Sequence, residues 1–177
     1  MTFSLHLYLG PMYAGKTTQL IRNMDENSIV LDFTEECGCN MGNLMSHDGV
    51  KISCIKLNRL CNLFITTDIE IIDTFINTKK ILINEAQFFP DLLSFIKLIE
   101  TYSLKVEVYG LDGDFERKPF GQILDIIPYC DSVVKLKGIC ALCNELSLFS
   151  KRITNNKEQY LADESAYRPV CRKCYLQ

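Results

Sequence analysis

The run GPMYAGKTT, Gly10 to Thr18, follows directly on the apolar stretch FSLHLYL, and no other part of the chain restricts its fold as strongly. It fits the pattern Gly-x-x-x-x-Gly-Lys-Thr: Gly10, then Pro11, Met12, Tyr13 and Ala14, then Gly15, Lys16 and Thr17, with Thr18 following. Such a loop needs a strand before it and a helix after it, because the backbone amides and the helix N-terminus must converge on one anion. The glycines let the backbone close around phosphate oxygens, Lys16 adds a charge, and the Thr17 hydroxyl can ligate magnesium. The blander reading is a glycine turn that caps a helix.

The rest of the chain alternates short β-rich runs with longer mixed segments, the pattern of an α/β protein with a largely parallel sheet. The runs at 3–9, 28–33, 79–84, 104–109 and 132–137 are predicted strands. Residues 16–25 and 89–101 have helical periodicity, with Leu92, Leu93, Ile96 and Ile99 spaced to fill one face. From Gly138 onward the character changes, so two units are expected: an α/β domain over 1–137 and a smaller cysteine-bearing one over 138–177. There is neither an internal repeat nor a low-complexity linker.

Composition excludes several function classes. Of the 177 residues, 47% are apolar and 23% charged, as in an ordinary globular protein. The apolar runs are strand-sized, well short of the roughly 18 to 20 residues a spanning helix needs. The N-terminal run has no basic stretch before it and leads straight into the glycine loop, which does not read as a signal peptide. A cytoplasmic location without a membrane partner is the expectation. A net charge of -3 argues against polymeric nucleic acid as the main partner, since such binding needs a basic face, and leaves small anionic ligands open.

Three further motifs carry chemistry. In KKILINEAQFF, residues 79–89, an apolar strand ends in Asn84 and Glu85. A carboxylate at that tip points at the ligand in open α/β sheets and makes Glu85 a candidate general base; the alternative is a cap on the next helix. In YGLDGDFERKPFG, residues 109–121, Phe115 and Phe120 suit a flat apolar slot, and Arg117 and Lys118 suit a phosphate or developing negative charge. A surface turn with two half-buried phenylalanines is the competing account. Finally, Cys140-Ala-Leu-Cys143 and Cys171-Arg-Lys-Cys174 are two C-x-x-C knuckles among nine cysteines. In a reducing compartment they close a tetrahedral structural zinc site with no open position for catalysis, the alternative being four unrelated thiols. Cys37, Cys39, Cys54, Cys61 and Cys130 have no assigned role.

The order GPMYAGKTT, NEAQFFPDL, GLDGDFERKPFG, CALC and YRPVCRKCY resembles the class II thymidine kinases, the zinc-containing cytosolic and poxviral type. The resemblance spans nearly the whole chain. It implies a P-loop NTPase-like parallel sheet with helices on both faces, plus a small C-terminal zinc-ribbon unit whose lasso covers the nucleoside. It also implies transfer of the γ-phosphate of ATP to the 5′-hydroxyl of thymidine, giving dTMP for DNA precursor synthesis, with magnesium required. On that basis Glu85 matches the catalytic base and Gly10 to Thr18 the ATP loop. Met12, Phe88, Leu111, Phe115, Phe120 and Tyr167 match positions that enclose the nucleoside, and Arg117 falls in the family's RKPFG segment. A homotetramer is implied as well. His47, in SHDG, matches a family motif, but a solvated or hydrogen-bonded histidine is the favoured reading.

Three departures stand out. The family reads Asp-Glu where this chain has Asn84-Glu85, its Asp-x-Arg element falls near Glu36-Cys37-Gly38 without an arginine, and its lasso glycine pair aligns with Leu161-Ala162. These keep two other readings open. One is a nucleotide-binding homologue with little or no turnover. The other is an interaction module in which the zinc ribbon docks a protein or nucleic acid through Lys135, Lys137, Lys151, Arg152, Arg172 and Lys173.

Overall fold

The computed structural model describes residues 2–46 and 48–177; His47 lies outside the described residues. Strand β1 (Ser4–Leu9) enters the glycine loop and helix α1 (Lys16–Asn23) leaves it, as that motif requires. Then follow β2 (Ser28–Phe33), β3 (Cys39–Met45), β4 (Lys51–Leu57), α2 (Ile69–Asn77), β5 (Lys80–Ile83), α3 (Leu92–Ile99), β6 (Lys105–Gly110) and β7 (Ser132–Lys135).

These strands form one seven-stranded sheet in the order β3-β4-β2-β5-β6-β1-β7. Every pairing is parallel except β3 against β4. Its central strands are apolar on both sides because helices cover both faces. On one face, Leu20 of α1 packs with Val30, Leu82 and Tyr109. On the other, Leu92, Phe95, Ile96 and Ile99 of α3 and Ile71 of α2 pack on Leu5, Leu31, Ile83, Val106 and their neighbours. The strand period of two assigns alternate residues to the two faces.

All five strands expected from sequence exist. The helix expected over 89–101 is shorter: it begins at Leu92, and Phe95 takes the fully buried place on the face where Leu93 is only half-buried. The hairpin β3–β4 and helix α2 lie in a stretch that the periodicity left unassigned. Cys39–Met45 mixes two asparagines and a glycine among its apolar residues and forms an exposed edge strand, so its pattern is weak.

The C-terminal region holds two antiparallel ribbons, β8 (Gly138–Ile139) with β9 (Leu146–Ser147) and β10 (Phe149–Arg152) with β11 (Tyr167–Val170), followed by α4 (Arg172–Leu176). Its small core joins Cys140, Val170 and Cys174. Because β1, β2, β5 and β6 run in parallel, the residues after their carboxyl ends meet at one edge of the sheet. No helix of the described residues is long and apolar enough to cross a membrane.

Candidate active site

The phosphate loop takes its shape from two positive backbone angles. Gly15 sits at the head of α1 with φ 75°, a left-handed conformation that glycine adopts without penalty, and Tyr13 adopts φ 61°. Lys16 is buried, and its Nζ donates to the carbonyls of Gly10 at 3.2 Å and Pro11 at 2.9 Å. Burial pushes its pKa below the usual lysine value, opposed by the charges of Glu85, Asp112 and Glu164. Gly10 and Pro11 thus act through their carbonyls, behind the cleft. Met12, Tyr13, Ala14, Gly15, Lys16, Thr17 and Thr18 line it. The Met12 amide donates to Ser150 Oγ at 2.9 Å, tying the loop to β10.

Across the cleft, β5 ends and the chain turns sharply at Glu85, which adopts φ 47° although it is not a glycine. That conformation is costly for a residue with a side chain and concentrates at functional sites. Glu85 heads the short 3-10 turn Ala86–Phe88 yet makes no side-chain capping bond. Its Oε2 accepts from Gln87 Nε2 at 2.6 Å, while Gln87 Oε1 accepts from the Leu111 amide at 2.9 Å. Gln87 therefore aims the carboxylate and joins it to the end of β6. The place this leaves for Gln87 is tight: a Cβ on Gly121, where φ is 58°, would lie 2.0 Å from the Gln87 carbonyl oxygen.

Between the loop and the Glu85 turn lies an open cleft of ≈ 970 Å³. Phe88 forms its aromatic floor, edge-on to Phe120 with centroids 5.3 Å apart and to Tyr160 at 4.7 Å. Leu111, Phe115 and Tyr167 complete the apolar wall of the cleft that the phosphate loop also lines. Phe115 has a partner that sequence alone did not suggest. The buried Arg152 guanidinium lies 3.8 Å from its ring centre and 4.8 Å from that of Tyr167.

Arg152 also holds the lasso. It donates to the carbonyls of Asn156 at 3.1 Å, Glu158, and Gln159 at 3.3 Å, and to the Tyr167 hydroxyl, which in turn accepts from the Leu161 amide at 2.9 Å. Gln159 Nε2 reaches Asp114 Oδ2 at 3.0 Å, and the Tyr13 hydroxyl donates to the Glu164 carbonyl at 3.3 Å. The lasso is thus pinned to both walls of the cleft.

Arg117 is not brought into the cleft. Its guanidinium stacks 4.5 Å from the Tyr175 ring and 5.7 Å from Phe149, on the side facing α4. The phosphate-facing place expected for it is corrected accordingly: two aromatic faces from the C-terminal region compete for the same cation. Three other basic residues of that region are engaged as well. Lys135 pairs with Asp112, Lys151 Nζ donates to the Cys174 carbonyl at 2.9 Å, and Arg172 stacks on Phe149 at 4.9 Å.

The four predicted metal cysteines do converge. The Sγ atoms of Cys140, Cys143, Cys171 and Cys174 all lie within 4.8 Å of one another. Four thiols at that spacing fit the tetrahedral cage of Zn–S bonds of about 2.3 Å. Near Thr17, a second space of ≈ 690 Å³ is bordered by Asp32, Asn84, Glu85 and Glu164. The hard oxygen donors of Thr17 and Asn84 suit a magnesium ion accompanying a triphosphate.

The family model of the thymidine kinases matches residues 3–175, which include the phosphate loop, the Glu85 turn and the four cysteines. The chain belongs to the thymidine kinase family. Among its relatives, the thymidine kinase of raccoon poxvirus is 35% identical across 97% of this chain and 96% of its own length. That of myxoma virus (strain Uriarra) is 36% identical over the same shares. The thymidine kinase of Oryza sativa subsp. japonica is 36% identical over 97% of this chain and 66% of its own. As a thymidine kinase family member the chain is an ATP-using enzyme, and its four-cysteine cluster fits zinc.

For a thymidine kinase read from sequence, Gln87, Arg152, Gln159 and Tyr160 were the residues missed. Gln87 carried a weak signal by standing two residues after Glu85. Arg152 carried none, because its partners are distant aromatic faces and loop carbonyls.

Proposed function

We propose that this chain transfers the γ-phosphoryl group of ATP to the 5′-hydroxyl of thymidine. The observation that carries the proposal is Glu85: an uncapped carboxylate in a left-handed turn, aimed by Gln87 into a cleft with Lys16 on one side and the Phe88 slot on the other.

In this reading the loop amides of residues 13–18 hold the triphosphate, and Lys16 leaves the carbonyls of Gly10 and Pro11 for the phosphate oxygens. Thymine lies among Phe88, Leu111, Phe115, Phe120 and Tyr167 beneath the lasso. The 5′-oxygen attacks the γ-phosphorus as its proton passes to Glu85; the bond from the γ-phosphorus to the bridging oxygen breaks, and ADP leaves. Thr17 and Asn84 are the groups that would hold magnesium, whose contribution is to neutralise charge on the phosphates, leaving Glu85 free as the base. Positioning accounts for most of the rate, because the lasso and the loop fix both reactants.

Zinc serves the reaction indirectly, by holding the stem from which the lasso extends. The resemblance further supports a homotetramer in the cytoplasm as the working form.

The test is product formation by purified protein with magnesium-ATP and a panel of nucleosides. dTMP and ADP in equal amounts, with thymidine preferred over purine nucleosides, is the expected result. No product with any nucleoside overturns the reading.

A further inference from the structure

Three side chains line up across neighbouring strands at the border of the proposed magnesium space, which Asp32 and Asn84 both line. Lys56 of β4 is in register with Asp32 of β2, and Leu31 of β2 is in register with Ile83, which places Asp32 beside Asn84 at the end of β5. Asp32 is 4% exposed and Asn84 3%. Asn84 Nδ2 donates to Asp32 Oδ1 at 2.8 Å, and Lys56 pairs with Asp32 Oδ2.

We propose that Asp32 is a positioning residue that sets the amide of Asn84 for a hydrated divalent cation. A carboxylate is only an acceptor, so the branch of the Asn84 amide turned toward it must be Nδ2, and Oδ1 is the branch left for the space shared with Thr17 and Glu85. Lys56 anchors the opposite oxygen of Asp32, so the carboxylate stays fixed when a cation enters. The negative charge therefore stands beside the donor, on the neighbouring strand β2 with both its oxygens already engaged, while the donor itself is neutral.

Replacing Asn84 by aspartate then does not improve the site. Asp32 and an aspartate at position 84 would be two acceptors at hydrogen-bond distance with no hydrogen between them, and the new side chain would be pushed out of place. Exchanging both residues restores an amide-to-carboxylate bond with the charge on the cation side. The inference rests on the magnesium reading given above.

The experiment measures binding of ATP without nucleoside, so that no turnover intervenes, as a function of magnesium and again in EDTA. For Asp32→Ala, the magnesium concentration at half-maximal binding should rise about five- to tenfold, the size of one lost orienting hydrogen bond. ATP binding in EDTA should change less than about twofold. Asp32→Asn, which keeps an acceptor, should stay near the unaltered protein. Asn84→Asp should also raise the magnesium requirement, and the double exchange Asp32→Asn with Asn84→Asp should restore it. An unchanged magnesium requirement in folded Asp32→Ala overturns the proposal. If that variant does not fold, the 84 series decides, and a single Asn84→Asp that binds magnesium as tightly as the double exchange overturns it. Unaltered protein whose ATP binding ignores magnesium overturns both this proposal and the magnesium reading, which separates the two failures.

Discussion

The Arg152 guanidinium carbon lies over the Phe115 ring, 3.8 Å from its centre, a contact between strand β10 and the loop after β6. The same guanidinium donates to the carbonyls of Asn156 and Gln159, so one side chain sets both the aromatic wall and the lasso above it. Arg152→Lys keeps the charge but loses the planar fork and the stacking surface. The KM for thymidine should rise about 10- to 100-fold, the equivalent of about 1.5–3 kcal/mol, while the KM for ATP changes less than about twofold. Steady-state kinetics with each substrate varied in turn checks this.

Glu85 and Gln87 should separate in their effects. Glu85→Gln removes the proton acceptor, so kcat should fall about 10²- to 10⁴-fold with ATP binding nearly unchanged. Gln87→Ala leaves the carboxylate but frees it and strips the Leu111 amide of its acceptor. A milder loss is expected there, on the order of tenfold in kcat. Single-turnover kinetics beside equilibrium ATP binding compares them, and a Glu85→Gln enzyme of normal turnover removes Glu85 from the mechanism.

Zinc should act on the nucleoside pocket through α4. The Tyr175 hydroxyl donates to the Phe115 carbonyl at 2.7 Å, one residue beyond Cys174. Cys174→Ser should reduce bound zinc from one per chain to a small fraction, lower the melting temperature and reduce kcat/KM for thymidine at least about tenfold. Metal analysis of the purified protein and its variant gives the first readout, and thermal unfolding gives the second.

Acid should weaken the protein through Glu107, which is buried at 1% exposure on β6. Burial acts to raise its pKa, but hydrogen bonds from Tyr109, Asn23, Lys105 and Lys80 outweigh it and hold the carboxyl at about 2 against an ordinary 4.5. A depressed native value means stability that is present above pH 4.5 and lost as pH falls toward 2, amounting to about 3 kcal/mol. Glu107→Gln should therefore be less stable than the unaltered protein at pH 6, with the gap closing across that window. Urea unfolding of both proteins over the acid range measures it.

The fold was legible wherever local pattern and burial agree. β1, the glycine loop and α1 follow from a single run of residues, because an apolar strand, two glycines and a lysine-threonine pair leave the chain one arrangement. Helix α2 was legible in principle through its cap: the Asp68 carboxylate accepts from the amides of Glu70 and Ile71. β3 was not, since as an exposed antiparallel edge it needs no strong apolar alternation.

The sequence by itself determined the phosphate loop, the carboxylate at the tip of β5 and the two C-x-x-C pairs, each written in neighbouring residues at a spacing that its chemistry demands. Only the tertiary structure decided the direction of Arg117, the burial of Arg152 and the bond between Asp32 and Asn84. Those depend on partners 58, 37 and 52 positions away, respectively Tyr175, Phe115 and Asp32. A cation or an amide follows whichever partner the folded chain brings beside it, and that proximity is a property of strand order and packing rather than of neighbours in sequence.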